Sequence, residues 1–370
     1  MAICGGPAVA EALDGQILTP DGWVSGRVRF TASILSVEAG PAPVDRFILP
    51  GFVDLHVHGG GGADVMDGAE AVAAMARFHA RHGTTALLPT TVTAPAANLL
   101  RAAEGIGSVP HAPGRARVLG LHLEGPFINP AMLGAQPPFA VVPDLALIAA
   151  VHDRVRLRVV TMAPEIDPGG ALLADLVARG VRVQLGHTAC SYDQAAAALA
   201  AGASGFTHLF NAMKPLRHRD PGCAGCALAM ATHAEFIADG LHVAAGAILA
   251  ARRAIPGLYV VTDATAAAGM ADGEYRLGTQ AVFKRAGAVR LADGTLAGSV
   301  LTMAAALRWL LSIGLDMADA SSRLSAIPAA YLSEATRGRI VPGAAADLVV
   351  VDGAGGLLGV VAEGRAIERG

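Results

Sequence analysis

Between residues 52 and 264 the chain alternates apolar runs with helix-like stretches rich in Ala, Leu and Arg. That alternation restricts the fold more than any other feature. The runs cover residues 52–58, 85–93, 118–127, 157–164, 181–187, 205–213, 235–242 and 258–264. Helical segments such as 69–82 and 171–179 lie between them, which is the pattern of parallel βαβ units. Eight such units predict an α/β fold, a (β/α)8 barrel whose chemistry sits at the C-terminal ends of its strands. The third run ends in Leu123-Glu124-Gly125-Pro126, so it delivers a carboxylate at such an end. An unpartnered acid under that much apolar surface is costly, and Glu124 therefore needs partners.

The chain ends read differently. Segments 17–19 and 24–30 are short strands joined by the turn Pro20-Asp21-Gly22, and 34–37 follows. Segments 344–351 and 358–361 are short strands again, so the two termini predict one small β-sandwich domain beside the barrel. The expected division is 1–49 and 340–370 for that domain and 50–339 for the barrel. Residues 275–290 read as an inserted hairpin, and 301–313 and 318–331 as helices.

The 370 residues are 53% hydrophobic and 16% charged, enough for a large core. Much of the mean hydropathy of +0.47 comes from Ala and Val, and no run reaches the roughly 18 apolar residues of a membrane span. The start, Met1-Ala2-Ile3-Cys4-Gly5-Gly6-Pro7, lacks the basic and apolar regions of a signal peptide. A net charge of -3 gives no nucleic-acid surface. Four cysteines (Cys4, Cys190, Cys223 and Cys226) are too few for a disulfide framework and fit a reducing cytoplasm. Cys223-Ala224-Gly225-Cys226 is a solitary C-x-x-C and reads as small packing residues.

Other strand ends carry matching chemistry. His56 and His58 are two apart and share one face of the first strand. They lead into Gly59-Gly60-Gly61-Gly62, where the backbone can approach a ligand closely. His187 ends the fifth run, His208 lies in the sixth and Asp263 in the eighth. Imidazoles and carboxylates at one rim suit Zn2+ or Fe2+, whereas Mg2+ and Ca2+ prefer oxygen alone.

With these residues the chain resembles the N-acetylglucosamine-6-phosphate deacetylase family of the amidohydrolase superfamily. The resemblance spans nearly the whole chain. It rests on PGFVDLHVHGGGG (50–62), LGLHLEGPFINP (119–130), LGHT (185–188), THLFNAM (207–213), RDPGCAG (219–225), IADGLHV (237–243), VTDATAAAG (261–269) and DGTLAGSVLTM (293–303). It implies hydrolysis of N-acetyl-D-glucosamine 6-phosphate to D-glucosamine 6-phosphate and acetate, in amino-sugar catabolism or recycling. It implies one or two divalent metals per subunit, Zn2+ before Fe2+, and a homodimer with phosphate contacts near the interface. Glu124, His187 and His208 match the ligands of the main metal, and His56 and His58 a second position that some members use. Asp263 matches the acid/base. Asn211, Ala212, Arg219 and His242 match the sugar-phosphate site. Asp239, Gly240 and Leu241, with Leu296, Ala297 and Gly298, match segments lining the sugar. Beside Ala135, Gln136 stands where some members have a His that helps hold the acetyl carbonyl. Met132-Leu133 replaces basic residues usual in the family, and Trp309 a polar one, so the resemblance leaves the exact sugar open.

General chemistry asks for the same parts. Amide hydrolysis needs a polarised carbonyl, an activated water and a proton for the leaving amine. A phosphate dianion needs fixed donors, which Arg219, His242 and the backbone near Asn211 supply. Read from the residues alone, Arg219 is equally a solvated loop charge. Cyclic-amide hydrolases use a carboxylated Lys at the end of strand 4, but that run ends Thr161-Met162-Ala163-Pro164-Glu165, and the chain's lysines are Lys214 and Lys284. Deaminase sites lack a carboxylate on strand 3. A non-catalytic scaffold should have lost ligands, and this chain keeps them.

Overall fold

The computed structural model describes residues 10–368, so the features noted at Met1–Pro7, Cys4 included, lie outside the described residues. Strands Phe52–Val57, Thr84–Thr91, Leu121–Glu124, Leu157–Met162, Arg182–Leu185 and Gly205–Phe206 pair in parallel, each beside the next. His233–Ile237 pairs in parallel with Gly257–Val261. The Leu209 N–H donates to Glu235 O at 2.8 Å and joins the sixth strand's exit to the seventh. A parallel bridge between Val57 and Ala264 returns the eighth strand's exit to the first. The result is the expected (β/α)8 barrel. Its strands are rich in apolar residues because helices cover them: 52–57, 84–91 and 157–162 are buried at every position.

The covering helices carry the matching period. Ala69–Ala80 buries Val72, Ala73, Met75, Ala76, His79 and Ala80, an i, i+3, i+4 stripe. Removing a side chain such as Val72 or Met75 from water contributes about 1.5–3 kcal/mol. Asp144 caps Leu145–His152 and Ser191 closes a capping box with Gln194 on Tyr192–Ala200.

Several apolar runs outlast their strands. The third run splits into Arg117–Val118 and Leu121–Glu124 at Gly120, whose φ is 134° and whose absent Cβ would meet Arg156 O at 2.3 Å. The sixth is a strand only at Gly205–Phe206; His208, Phe210 and Ala212 then turn the backbone through positive φ. The seventh ends at Ile237, which leaves His242 in the following turn. In the sixth run the residues beyond the strand stay largely apolar because the loop is largely buried at the barrel mouth.

The termini build one sheet, ordered 365–366, 357–362, 348–351, 47–50, 11–19, 22–30 and 34–39. Phe47–Pro50 lies parallel to Glu11–Thr19 and antiparallel to Leu348–Val351. Ile17, Val28, Phe30, Ile34, Ile48, Ile340 and Leu348 form its core. The Ile34 N–H donates to Ala344 O at 2.8 Å, so the sheet folds over that core and its far edge meets the tail. Arg337 clamps this domain through Asp347 and Glu363.

The insertion is a three-stranded meander, Gly273–Leu277, Gln280–Arg285 and Ala288–Arg290, one strand more than a hairpin. The segment 318–331 is two helices, Met317–Leu324 and Ala326–Tyr331, broken at Ser325. Among the described residues no helix is long and apolar enough to cross a membrane.

Candidate active site

The expected ligands meet at the C-terminal mouth of the barrel. Glu124 Oε1 lies 3.1 Å from His187 Nε2 and 3.1 Å from His208 Nε2, and those two nitrogens are 3.1 Å apart. Glu124 Oε2 faces the other way, 3.1 Å from His58 Nε2 and 3.4 Å from His56 Nε2. The His56 and His58 Nε2 atoms are 3.1 Å apart, and Asp263 Oδ1 completes that group 3.2 Å from His58 Nε2. One carboxylate thus stands between two clusters and gives one oxygen to each.

The residues fit a divalent metal. Three donors about 3.1 Å apart approximate one face of a tetrahedron whose metal–ligand bonds are roughly 2.0–2.2 Å. The rings are oriented from behind, as ligating histidines require. His58 Nδ1 donates to Thr90 O and His187 Nδ1 to Met132 O, each at 2.9 Å, which turns both Nε2 atoms to the pocket. His208 Nδ1 is buried with no hydrogen-bond partner.

The backbone is bent to present these groups. His187, His208 and Asp263 have φ of 48°, 28° and 49°, a region that costs a non-glycine residue on the order of 1–3 kcal/mol. Each is held in place. The His208 N–H donates to Glu235 Oε1 at 3.1 Å, the Asp263 N–H to His56 O at 2.9 Å, and the Asn129 N–H to His187 O at 3.0 Å. Gly298 passes so close that a Cβ would lie 2.8 Å from Asp263 O.

Electrostatics reflect the crowding. Burial acts to raise the Glu124 carboxyl, but the His56 charge and the hydrogen bonds from His187 and His208 hold it well below the usual carboxylate range. Burial opposes Asp263 in the same way, yet His56 and His58 bring it down to about 2. Burial would lower His58, but hydrogen bonds to Asp263 and Glu124 raise it to about 9.

Beside the clusters is a cavity of about 210 Å3. Of the residues expected from the sequence, His58, Glu124, His187, His208 and Asp263 line it, with Ala135, Gln136, Asn211, Ala212, His242, Leu296 and Gly298. His56 is fully buried beneath. Asp239, Gly240 and Leu241 stand behind the lining: Asp239 Oδ2 accepts from His242 Nδ1 at 2.7 Å, and a Cβ on Gly240 would meet Trp309 Nε1 at 2.7 Å. Burial would lower His242, but that bond and the Asp239 charge outweigh it and raise its pKa. Ala297 is buried in the core of the insertion. Arg219 is exposed and outside the cavity lining.

Several contributors escaped the sequence reading, Gly134 and Ile237 of the cavity lining among them. Leu277 reaches the cavity from the inserted meander and Thr295 from the turn after it, and Gln280 fastens the meander by donating to Ala135 O at 3.2 Å. Glu235 lies beneath Ile237 on the seventh strand and pairs with His56 Nδ1 at 2.6 Å. A lone acid in an apolar run has no local signal of this role. Cys190, Cys223 and Cys226 are free and buried, and no candidate metal group among the described residues includes them. Lys214 pairs with Asp220 and Lys284 with carbonyls of Ala267 and Met270, so neither serves the fourth strand.

Residues 47–367 match the amidohydrolase family. An N-acetylgalactosamine-6-phosphate deacetylase of Escherichia coli O157:H7 is 38% identical, over 91% of this chain and 93% of that protein. An N-acetylglucosamine-6-phosphate deacetylase of Lysinibacillus sphaericus is 37% identical, over 83% and 82%. The structure of a mutant N-acetyl-D-glucosamine-6-phosphate deacetylase from Mycobacterium smegmatis, in complex with N-acetyl-D-glucosamine-6-phosphate, superposes with a TM-score of 0.88 at 34% identity, over 97% of this chain and 99% of that one. The chain belongs to the amidohydrolase family, in its N-acetylglucosamine-6-phosphate deacetylase branch.

Proposed function

We propose that the protein hydrolyses N-acetyl-D-glucosamine 6-phosphate to D-glucosamine 6-phosphate and acetate. The observation that carries this reading is Glu124, which offers one oxygen to His187 and His208 and the other to His56 and His58, at the wall of a cavity that also holds Asp263, Asn211 and His242. Glu124, His187 and His208 would hold a divalent metal, Zn2+ or Fe2+, and His56, His58 and Asp263 a second. A metal bound there supplies Lewis acidity and lowers the pKa of water to about 7. Asp263 takes the water proton as the oxygen attacks the acetamide carbonyl, then passes it to the nitrogen as the C–N bond breaks. Gln136 offers an N–H to the acetyl oxygen. His242, oriented by Asp239, and the backbone around Asn211 and Ala212 take the phosphate, with Leu296 and Gly298 against the sugar.

Arg219 joins the same reading as a group that completes the phosphate site across a homodimer interface. Its exposure supports this, as does the exposure of Leu216 and Leu241 at 54% and 51%. The three free cysteines support a reducing cytoplasm. The division into 1–49 with 340–370 and 50–339 remains part of the proposal.

The test is acetate release by metal-loaded protein. N-acetylglucosamine 6-phosphate is the expected substrate, and the galactosamine epimer is the comparison that the E. coli relative calls for. Release from the unphosphorylated sugar but not from the phosphate ester would overturn the phosphate assignment. Light scattering gives the oligomeric state.

A further inference from the structure

Four histidines face the two clusters, but their backing differs. His58 and His187 lean on neutral carbonyls, of Thr90 and Met132, and His208 Nδ1 has no hydrogen-bond partner. His56 alone has a carboxylate behind it, with Nδ1 2.6 Å from Glu235 Oε1. Both residues are fully buried. Glu235 and Ile237 share a face of the seventh strand, and Ile237 lines the cavity, so Glu235 occupies the layer beneath the floor.

Glu235 has no use in the proposed chemistry, and its position is an expensive one for an acid. Among the described residues its ion-pair partner is His56. Its other contacts are hydrogen bonds, from the His208 N–H at 3.1 Å to Oε1 and from the Tyr259 hydroxyl at 3.4 Å to Oε2. Tyr259 is itself fixed by Gln184 Nε2 at 2.6 Å. Among the described residues no Lys or Arg is paired with Glu124, Glu235 or Asp263. A single divalent cation leaves one of these three carboxylates to a protonated imidazole, and a second cation takes the place of that proton. A carboxylate hydrogen-bonded to the far nitrogen of a ligating imidazole fixes the ring and makes it a stronger donor.

We infer that Glu235 is a positioning residue that sustains a second metal position, by holding His56 through Nδ1 so that Nε2 faces His58 and Asp263. The position at Glu124, His187 and His208 does not depend on the Glu235 charge. This rests on the reading of two metal positions given above and extends it to a residue that touches neither metal nor substrate.

The test is E235Q in the full chain. Gln keeps the shape and an acceptor for both N–H groups while removing the charge. Metal-free wild type and E235Q are titrated with Co2+, followed by d–d absorption, and with Zn2+ by equilibrium dialysis. Wild type takes two equivalents. E235Q takes the first with wild-type affinity and the second about 10–100-fold more weakly. H56A loses the same equivalent, and H56A/E235Q loses nothing more, because the two act in series. Two equivalents of unchanged affinity in E235Q would overturn the inference. So would loss of both equivalents with a changed far-UV circular dichroism spectrum, which marks a structural role; additivity in the double variant would do the same. A wild type that takes one equivalent would sink the two-position reading itself, and acetate release would still stand or fall separately.

Discussion

Gln136 Nε2 donates to Glu124 Oε2 at 2.5 Å while Gln136 Oε1 accepts the Thr93 N–H at 2.7 Å. A backbone N–H cannot accept, so Thr93 fixes which end of the amide faces the cavity. That end is a donor, and in the proposed reaction it serves the acetyl oxygen. Gln136→Ala is expected to lower kcat by about 10²–10³ with metal content unchanged. Steady-state acetate release together with elemental analysis checks it, and an unaltered kcat would remove Gln136 from the reaction.

Asp263 lies 3.2 Å from His58 with its backbone in a strained left-handed conformation. Asp263→Asn keeps the shape and loses the proton acceptor. Turnover should fall by about 10²–10⁴ while the equivalent at Glu124, His187 and His208 stays bound. Near-normal turnover in single-turnover acetate release would refute its role.

His242 should set how phosphate binding varies with pH. Its pKa is raised, chiefly because Asp239 outweighs the effect of burial, so the proton persists above the usual imidazole value and leaves as pH rises through the raised one. KM for the sugar phosphate should climb on that alkaline side, and KM for the unphosphorylated sugar should not. Asp239→Asn should move the rise to lower pH. A KM profile unchanged in D239N would show that phosphate binds without His242.

His79 is fully buried, donates from Nε2 to Gly59 O at 2.9 Å, and is pushed down by burial to about 4. Folded, it stays neutral; unfolded, it takes a proton below about 6.5. The unfolded chain therefore binds more protons between those values, and stability rises with pH across the window. The contribution reaches about 3 kcal/mol. His79→Gln keeps a donor for Gly59 and should flatten this part of the curve. Urea denaturation of the metal-free protein from pH 4 to 7 reads it, and parallel curves for the two proteins would count against it.

The barrel was legible because its strands are buried on both faces and read as continuous apolar runs. Most of the ligands were legible because they stand near the end of such a run: Glu124 before Gly125, His56 and His58 before four glycines, and His187 at the end of the fifth. The same property blurred the boundaries. Loops packed under the barrel mouth are as apolar as strands, so 205–213 read as one element where only Gly205–Phe206 is a strand. Glu235 was invisible because its role depends on His56, 179 positions away. Leu277 and Thr295 were missed because the meander's contact with Ala135 is tertiary.

The sheet built from both ends of the chain has a consequence for the order of events on the ribosome. Phe47–Pro50 emerges early, but one of its two neighbours, Leu348–Val351, is made some three hundred residues later. Until then the strand that feeds directly into His56 and His58 has an open edge. The C-terminal strands therefore act as a latch on the segment that leads into the first barrel strand, closed only once Leu348–Val351 has been made. A nascent chain that stops short of Leu348 leaves Phe47–Pro50 paired on one side only, with Glu11–Thr19, while the barrel strand that follows it already has Thr84–Thr91 and Ala264 beside it.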